Sequence, residues 1–375
     1  MKERGERGKQ KGFFFFSLFF FSNVSQSERS FFSPSFFLCE RVRFFFFLFL
    51  LKEHHQAQEN TSDSTAMKKA IAVALVVAAF VAAATEAAGQ TRFKGKKVLV
   101  TGGSSGVGFQ TALEFAREGA TVVICSRDSH PTWFTGADAE ARINSDETVL
   151  ATGGHARWVK ADVSKAADVK ALFESIRAQE GLLDIAVNNA GISGPVGALG
   201  DMAKYSQGEY DPIANNLYGV LRCMAEEESM MLEGNISGSI VNVASLNGVI
   251  AAPMGAMYGA SKFGVIGATK SIALKHITGG PYIRANAVAP GPIATPLLFN
   301  QFKMDEYGQQ PWEGDLITED SPLWLKYKDE TLEGVPMRAL AQPKQIADPI
   351  LWLCTDEAAH ISGDTLIVDG GIWAQ

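Results

Sequence analysis

Three side chains in the second half of the chain have the types and spacing needed to move a proton to or from a substrate oxygen. Tyr258 and Lys262 are four residues apart, and Ser245 stands thirteen residues before Tyr258, just after the apolar run 239–244. Residues four apart share one face of a helix, so we expect the Lys262 ammonium beside the Tyr258 hydroxyl, where it lowers the tyrosine pKa from its ordinary value of about 10. Tyr258 then fits a general acid or base, with Ser245 bonded to the same oxygen. Taken alone, the tyrosine–lysine spacing also fits the solvated face of an ordinary helix.

A glycine-rich loop lies upstream of these residues, between an expected strand and an expected helix. Residues 97–100 form a short apolar run, the loop 101–108 reads Thr-Gly-Gly-Ser-Ser-Gly-Val-Gly, and a helical pattern follows over 109–118. Glycines allow a tight turn and close approach of the backbone to a diphosphate, and free N–H groups at the helix start attract its charge. The arrangement predicts dinucleotide binding, although a glycine loop alone also fits a simple turn.

The next apolar run, 121–125, is the expected second strand, and its end should face the adenosine ribose. Ser126 and Arg127 follow that run. An acidic residue there would favour NAD, whereas the Arg127 guanidinium suits the 2′-phosphate of NADP. We therefore expect NADP(H) to be preferred. NAD(H) remains the alternative, because Asp128 would take this position if the strand ended later.

The elements that position these residues follow an alternating pattern. From Val98 onward, short β-branched runs alternate with helix-length segments, which predicts a single α/β domain with a doubly wound parallel sheet of the Rossmann type. Ligands bind such sheets at the carboxyl ends of the strands, where the motifs fall. The strands are expected near 97–101, 121–125, 156–160, 183–187, 239–244, 282–288 and 365–368.

Further motifs, in order along residues 93–371, make the chain similar to the short-chain dehydrogenase/reductase family. They are the glycine loop, Asp162-Val163, Asn188-Asn189-Ala190-Gly191, Asn216-Leu217-Tyr218-Gly219, the Ser245–Tyr258–Lys262 set, Pro290-Gly291-Pro292-Ile293-Ala294-Thr295, and the final strand and turn over 364–371.

The resemblance implies a catalytic tetrad of Asn216, Ser245, Tyr258 and Lys262. Tyr258 would exchange a proton with the substrate oxygen while the nicotinamide exchanges a hydride with carbon. Lys262 would hold the nicotinamide ribose and lower the tyrosine pKa, Ser245 would polarise the carbonyl, and Asn216 would support a water linking Lys262 to solvent. The expected cofactor-binding residues are Gly102, Ser104, Ser105, Gly106, Gly108, Arg127, Asp162, Val163, Asn188, Gly191, Tyr258, Lys262, Pro290, Ile293 and Thr295.

Composition bounds the rest of the chain. With 375 residues and 46% hydrophobic content, the chain has material for one domain of roughly 280 residues plus an N-terminal addition. The net charge of −7, without a basic patch, does not suggest nucleic acid binding. The scattered cysteines show neither metal-ligand nor disulfide spacing. By resemblance we expect a homodimer or homotetramer.

The N-terminal ninety residues differ from the domain over 91–375. Residues 1–66 carry phenylalanine blocks and serines, and we interpret them as the translation of a pyrimidine-rich leader upstream of the true start, which the protein itself would then lack. Met67 is a plausible initiator, and residues 67–89 fit a signal peptide, with an uncleaved membrane anchor as the alternative. The segment predicts an exported, endomembrane or organelle-directed protein, and a start beyond it predicts a cytosolic one.

A long excursion over 296–335 stands where the family carries a mobile substrate lid. It holds many carboxylates and six aromatic residues, which either wall an apolar pocket or only anchor a surface excursion or a subunit contact. The aromatic residues are Phe299, Phe302, Tyr307, Trp312, Trp324 and Tyr327.

The favoured function is NADP-dependent interconversion of a secondary alcohol and a ketone on a small or medium-sized organic molecule. One alternative is non-redox chemistry on the same scaffold, such as epimerisation or dehydration. Another is a nucleotide-binding sensor without turnover, although such a sensor would be expected to have lost Tyr258 or Lys262.

Overall fold

The computed structural model describes residues 91–127, 135–194, 211–251, 255–299 and 321–375, without the side chains of Leu323 and Tyr327. The chain divides into two units after residue 88, and all the described residues belong to the second, 89–375. The leader, the signal-like segment and the localisation inferred from them lie outside the described residues and stay predictions. The same holds for Asp128 and for Phe302, Tyr307 and Trp312.

Seven parallel strands form one sheet in the second unit, as predicted. Their spatial order is β3-β2-β1-β4-β5-β6-β7. Strands β2 and β3 are added on one side of β1, and strands β4 to β7 are added on the other side, so the order of the strands reverses between β1 and β4. In chain order the strands are Lys97–Thr101 (β1), Thr121–Ser126 (β2), His155–Lys160 (β3), Ile185–Asn188 (β4), Ser239–Val243 (β5), Arg284–Pro290 (β6) and Thr365–Val368 (β7).

Helices connect the strands and cover both faces of the sheet. They are Gly106–Arg117 (α1), Gly136–Asn144 (α2), Glu147–Thr152 (α3), Ala166–Gln179 (α4), Gly219–Glu233 (α5), Ala256–Lys275 (α6), Pro322–Glu333 (α7) and Pro343–Leu353 (α8). A π-helical turn, Ile213–Tyr218, leads directly into α5, and a 3₁₀ turn, Leu246–Gly248, follows β5. This is the doubly wound α/β architecture expected from the alternating pattern.

Alternate residues of β1 show how the two faces form separate cores. Val98 and Val100 belong to one buried cluster with Phe115 of α1, whereas Leu99 belongs to another with Phe173 of α4. Successive strand residues point to opposite faces, so a strand covered on both sides must be apolar throughout. That explains why the run 97–101 predicts a buried parallel strand rather than an alternating one.

Strand ends differ from the predicted ones by up to two residues. The strand predicted over 183–187 begins at Ile185, although Leu183 is buried, and the strand predicted over 282–288 begins at Arg284 and continues to Pro290. An apolar run indicates which residues are buried, whereas the ends of a strand depend on hydrogen-bonded pairing with a neighbouring strand. Pro290, for example, is held opposite Val368 of β7.

Three further features concern membrane-spanning helices, metal sites and cysteines. Within the described ranges, no helix is both long and apolar enough to cross a membrane. The same ranges contain no cluster of His, Cys, Asp or Glu able to hold a metal ion. Cys125, Cys223 and Cys354 are buried free thiols.

Candidate active site

A cavity of about 770 Å³ opens at the carboxyl ends of the parallel strands. Its volume falls within the range of about 300–1,000 Å³ typical of small-molecule and cofactor sites. It brings together all but three of the predicted site residues: Gly102, Ser104, Ser105, Gly106, Arg127, Asp162, Val163, Gly191, Ser245, Tyr258, Lys262, Pro290, Ile293 and Thr295.

The glycine loop places the start of α1 in the cavity wall. Gly102 and Gly106 have φ of +66° and +54°, conformations that other residues rarely adopt. Ser105 caps α1 without a side-chain hydrogen bond, and the first turn carries no acidic residue. The N–H groups at the helix start are therefore not capped by a side chain, which suits an anion in the cavity.

The end of the cavity formed by β2 and β3 carries the predicted 2′-phosphate site. Arg127 lines this end beside Ser126, whose hydroxyl accepts a hydrogen bond of 3.0 Å from Trp158 Nε1. Asp162 is buried, and its Oδ1 accepts hydrogen bonds from the Ser164 amide (3.0 Å) and hydroxyl (2.7 Å). The second oxygen of Asp162 is 3.7 Å from Lys165 Nζ. Asp162 is thus a fixed acceptor at this end.

Tyr258 and Ser245 meet at the other end of the cavity. Ser245 follows β5 and accepts from the Asn247 amide at 3.2 Å, which fixes its side chain at the 3₁₀ turn. Tyr258 stands in the first turn of α6, and its side chain lies beside that of Ser245 in the cavity wall. Two hydroxyl groups are therefore brought to the same point in the cavity, as the sequence predicted.

Lys262 lies one turn further along α6, with its ammonium directed back toward β5. Its Nζ donates to the Val243 carbonyl at 2.7 Å and is 5.7 Å from the centre of the Tyr258 ring. Burial lowers the pKa of Lys262 to about 8. An ammonium has three donors, so the Val243 bond leaves two for other acceptors.

The expected lowering of the Tyr258 pKa does not occur in this structure. Burial raises the tyrosine pKa above its ordinary value, and the neighbouring Ser245 side chain offsets that rise only in part. Loss of solvation disfavours the charged phenolate, while Lys262 is itself buried and bonded to a backbone carbonyl. The helical spacing correctly placed the two side chains, but burial decides the direction of the shift.

Asn216 acts on the loop after β4 and does not line the cavity. Its Oδ1 accepts from the Ile192 amide and its Nδ2 donates to the Ile192 carbonyl, both at 2.8 Å. A Cβ placed on Gly191 would lie 3.5 Å from Asn216 Oδ1 and 3.6 Å from Lys262 Nζ. Asn216 therefore sits beside Lys262, as the resemblance implied, with its amide committed to the backbone.

Asn188 and Gly108 also lie outside the cavity lining, contrary to the cofactor contacts expected of them. Asn188 Nδ2 points into the interior and donates to Glu227 at 3.0 Å and to Asn242 at 2.9 Å. A Cβ on Gly108 would lie 2.2 Å from the Gly102 carbonyl oxygen, so this glycine permits close packing of α1 on the loop. The register of β4 and the path of the loop turn these two residues away from the cavity. They therefore pack in the protein interior behind its wall.

The segment after β6 closes the cavity beside the glycine loop. Thr295 donates from its hydroxyl to the Ile293 carbonyl at 3.4 Å, and Ile293 pairs with Ala341 in an isolated bridge. A Cβ on Gly106 would lie 3.3 Å from Thr295 Cγ2. The predicted nicotinamide segment and the phosphate loop therefore face each other across a narrow gap.

Sequence reasoning missed several residues in the cavity wall. Asn215 is the most distinctive, because it is polar and buried and belongs to a π-helical turn that no sequence pattern indicated. The others become visible only when distant loops converge. They are Ile192, Ser193, Leu246, Asn247, Ile250, Leu297, Leu298 and Ile372.

The donor set fits a nicotinamide dinucleotide. The uncapped start of α1 suits a diphosphate in the middle, Arg127 suits an anionic group at one end, and Tyr258 with Ser245 suits a reacting oxygen at the other. The described residues would thus hold an extended molecule that is anionic at its centre.

Comparison with known proteins gives independent evidence. The family described as short chain dehydrogenase matches residues 96–306, and the one described as enoyl-(acyl carrier protein) reductase matches residues 317–373. The chain is 36% identical to a 3beta-hydroxysteroid dehydrogenase of Mediterraneibacter gnavus, over 75% of this chain and 95% of that protein. It is 31% identical to glucose 1-dehydrogenase 2 of Bacillus subtilis, over 74% and 95% of the two chains.

Solved structures agree with these matches. Levodione reductase superimposes with a TM-score of 0.61 at 28% identity, covering 75% of this chain and 99% of that one. An actinorhodin polyketide ketoreductase with NADPH gives a TM-score of 0.59 at 29% identity, covering 74% and 97%. From its motifs, its cavity and these matches, the chain belongs to the short-chain dehydrogenase/reductase family and is an oxidoreductase acting on CH–OH groups with a nicotinamide dinucleotide.

Proposed function

We propose that this protein is an NADP-dependent oxidoreductase that interconverts a secondary alcohol and a ketone, with Tyr258 as the acid and base. The observation that carries the proposal is the meeting of Tyr258 and Ser245 at one end of a cavity whose other end carries Arg127. A proton donor and an anion-binding side chain thus stand at opposite ends of one dinucleotide-sized site.

The bound dinucleotide supplies or accepts the hydride. In the direction of reduction, Tyr258 donates its proton to the carbonyl oxygen, and Ser245 donates a hydrogen bond to the same oxygen. Charge develops on that oxygen in the transition state, so fixed donors aimed at it lower the barrier. Lys262 has two donors left beside its bond to the Val243 carbonyl, and with them it would hold the ribose hydroxyls of the dinucleotide.

The substrate end of the cavity has an apolar wall that favours a carbonyl on a largely apolar skeleton. Leu246 and Ile250 follow Ser245, and Leu297 and Leu298 approach from the segment after β6. The exclusion of water by such walls strengthens the action of the donors. The relatives named above include a hydroxysteroid dehydrogenase and a polyketide ketoreductase, which suits this choice of substrate class.

Tyr258→Phe tests the chemical assignment. The substitution removes the acid and base but keeps the ring, so NADPH affinity should stay within about twofold while turnover falls by at least about 100-fold. Affinity is measured by fluorescence titration, and turnover by nicotinamide absorbance with a panel of apolar ketones and secondary alcohols. Tyr282→Phe is the matched control, because Tyr282 is exposed and outside the cavity lining.

Two results would contradict the proposal. If Tyr258→Phe kept most of the wild-type turnover, another group would supply the proton. If the wild-type protein bound NADPH but converted no carbonyl or alcohol, two other functions would fit better. One is non-redox chemistry such as epimerisation or dehydration, which leaves the dinucleotide without net change, and the other is a nucleotide-binding sensor without turnover.

A further inference from the structure

Asn215 differs from the other buried asparagines of the described structure. Its side chain is only 6% exposed, yet no hydrogen bond of the described residues involves its carboxamide. The other four buried asparagines all have side-chain partners: Asn188, Asn216, Asn242 and Asn286. Its carboxamide atoms are not among the fully buried polar atoms that lack a partner, so the carboxamide is accessible from the cavity.

The side chain of Asn215 lies in the wall of the cavity. It belongs to the π-helical turn Ile213–Tyr218, and turns of this kind occur frequently at functional sites. Its neighbour Asn216 does not line the cavity, and its carboxamide is bonded to the Ile192 backbone and to the Ser261 hydroxyl. The two adjacent asparagines therefore have different tasks, one inside the scaffold and one at the cavity.

The packing of α5 places Asn215 at the adenosine end. Gly219, four residues further on, lies against Val163, since a Cβ on it would be 2.8 Å from Val163 Cγ2. Arg222 Nη1 donates to the Ser164 carbonyl at 2.9 Å, one helical turn later. This stretch thus packs on the loop after β3, which carries Asp162.

The carboxamide supplies what Asp162 lacks. An ionised carboxylate only accepts hydrogen bonds, and one oxygen of Asp162 is already occupied by Ser164. A carboxamide offers two donors and an acceptor, a combination complementary to an adenine base and to ribose hydroxyls.

We propose that Asn215 hydrogen-bonds directly to the adenosine half of the dinucleotide. The proposal rests on the dinucleotide binding proposed above. The Asn215 carboxamide has no hydrogen-bond partner among the described residues and gains one from the ligand.

Asn215→Leu in the full-length chain tests this idea by two readouts that do not depend on turnover. Leucine is close in size and has no unpaired polar group. Because the Asn215 side chain bonds to no other described residue, the variant should melt within about 2 °C of wild type without ligand. Calorimetric titration should show about tenfold weaker binding of NADP⁺ and an equal fold loss with ADP-ribose, which lacks both the nicotinamide and the 2′-phosphate.

Asn286→Leu is the matched control, because Asn286 is buried, bonded to Ile361 and Asp364, and outside the cavity lining. It should melt lower than wild type and bind NADP⁺ with unchanged affinity. The inference fails if Asn215→Leu binds both ligands as wild type does, if its loss disappears with ADP-ribose, or if it melts more than about 2 °C below wild type. A wild-type protein that bound neither NADP⁺ nor NAD⁺ would instead overturn the proposed function.

Discussion

At the level of single residues, burial sets the protonation state of the proposed acid. Tyr258 has a pKa above its ordinary value, so its hydroxyl carries the proton at neutral pH. The protonated form is the one that the reduction of a carbonyl requires. Burial also lowers the pKa of Lys262 to about 8, so this side chain begins to lose its charge just above neutral pH. The free protein is thus set for proton donation rather than proton uptake.

Arg127→Ala tests the proposed preference for NADP at the scale of one side chain. A charge-assisted hydrogen bond to a phosphate contributes about 1.5–3 kcal/mol, so NADPH affinity should fall by about 10- to 100-fold. NADH has no 2′-phosphate, and its affinity should change by less than about threefold. Parallel fluorescence titrations with the two dinucleotides measure both values.

Arg177→Ala serves as the control for general loss of positive charge, because Arg177 pairs with Glu233 and is not among the residues of the cavity wall. Equal weakening of NADPH and NADH by Arg127→Ala would show that Arg127 does not read the 2′-phosphate. The assignment to NADP would then be wrong, while the chemistry of Tyr258 would be unaffected.

Site residues could be predicted from the sequence where a motif fixes the local backbone. Ser245 at a strand end and the Tyr258–Lys262 pair on one helix face follow from period and spacing alone. The direction of a side chain could not be predicted where a second element decides it. Asn188 turns away from the cavity toward Glu227 of α5, and Asn215 turns toward it from a π-helical turn. These contacts join segments far apart in the sequence.

At the level of elements, the join between the glycine loop and α1 is the tightest part of the site. A Cβ on Gly108 would lie 2.2 Å from the Gly102 carbonyl oxygen and 2.4 Å from Asn189 Nδ2. Gly108→Ala should therefore force the backbone apart and lower the free energy of unfolding by about 1–3 kcal/mol. NADPH affinity should fall as well, because the displaced N–H groups no longer converge on the diphosphate.

Gly267→Ala gives the opposite expectation for the same chemical change. Gly267 is an exposed residue inside α6, and a Cβ there meets nothing within 4 Å. Alanine at this site should raise the free energy of unfolding by up to about 1 kcal/mol and leave affinity unchanged. Denaturant titration of both variants decides the matter, and a Gly108→Ala protein as stable as wild type would contradict the packing argument.

The elements themselves could be predicted more completely than their ends. All seven strands were expected from apolar runs, since a parallel strand covered on both faces must be apolar throughout. The reversal of the strand order between β1 and β4 places the dinucleotide site at the carboxyl ends of the central strands. The motifs fall at these strand ends in the sequence, so the sequence already indicated where the site lies. The sequence pattern did not show where each strand ends, because pairing partners decide that.

At the level of the whole molecule, a buried carboxyl connects the two central strands to the helices behind them. Glu227 of α5 accepts from Asn188 of β4, which also donates to Asn242 of β5, which in turn donates to Thr269 of α6 at 2.8 Å. Glu227 Oε1 has no hydrogen-bond partner among the described residues. Burial raises the pKa of Glu227 from 4.5 to about 8, and the bond from Asn188 offsets this only in part.

This carboxyl should make stability depend on pH in an unusual direction. The folded state holds the Glu227 proton up to about pH 8, whereas an unfolded chain releases it near pH 4.5. The folded state therefore binds more protons between these values, and its stability declines as the pH rises through that window. At about 1.4 kcal/mol per pH unit, the decline attributable to Glu227 reaches up to about 5 kcal/mol and stops above pH 8.

Glu227→Gln removes the titrating group and keeps nearly the same shape, so its stability should lack this decline. Urea unfolding of both proteins from pH 5 to pH 9 measures the difference, in which the contributions of other groups cancel. Relative to wild type, the variant should gain stability as the pH rises to about 8 and change little beyond it. A constant difference across the range would mean that the pKa of Glu227 is the same in the folded and the unfolded state. The polar network joining β4, β5 and α5 would then tolerate a buried charge.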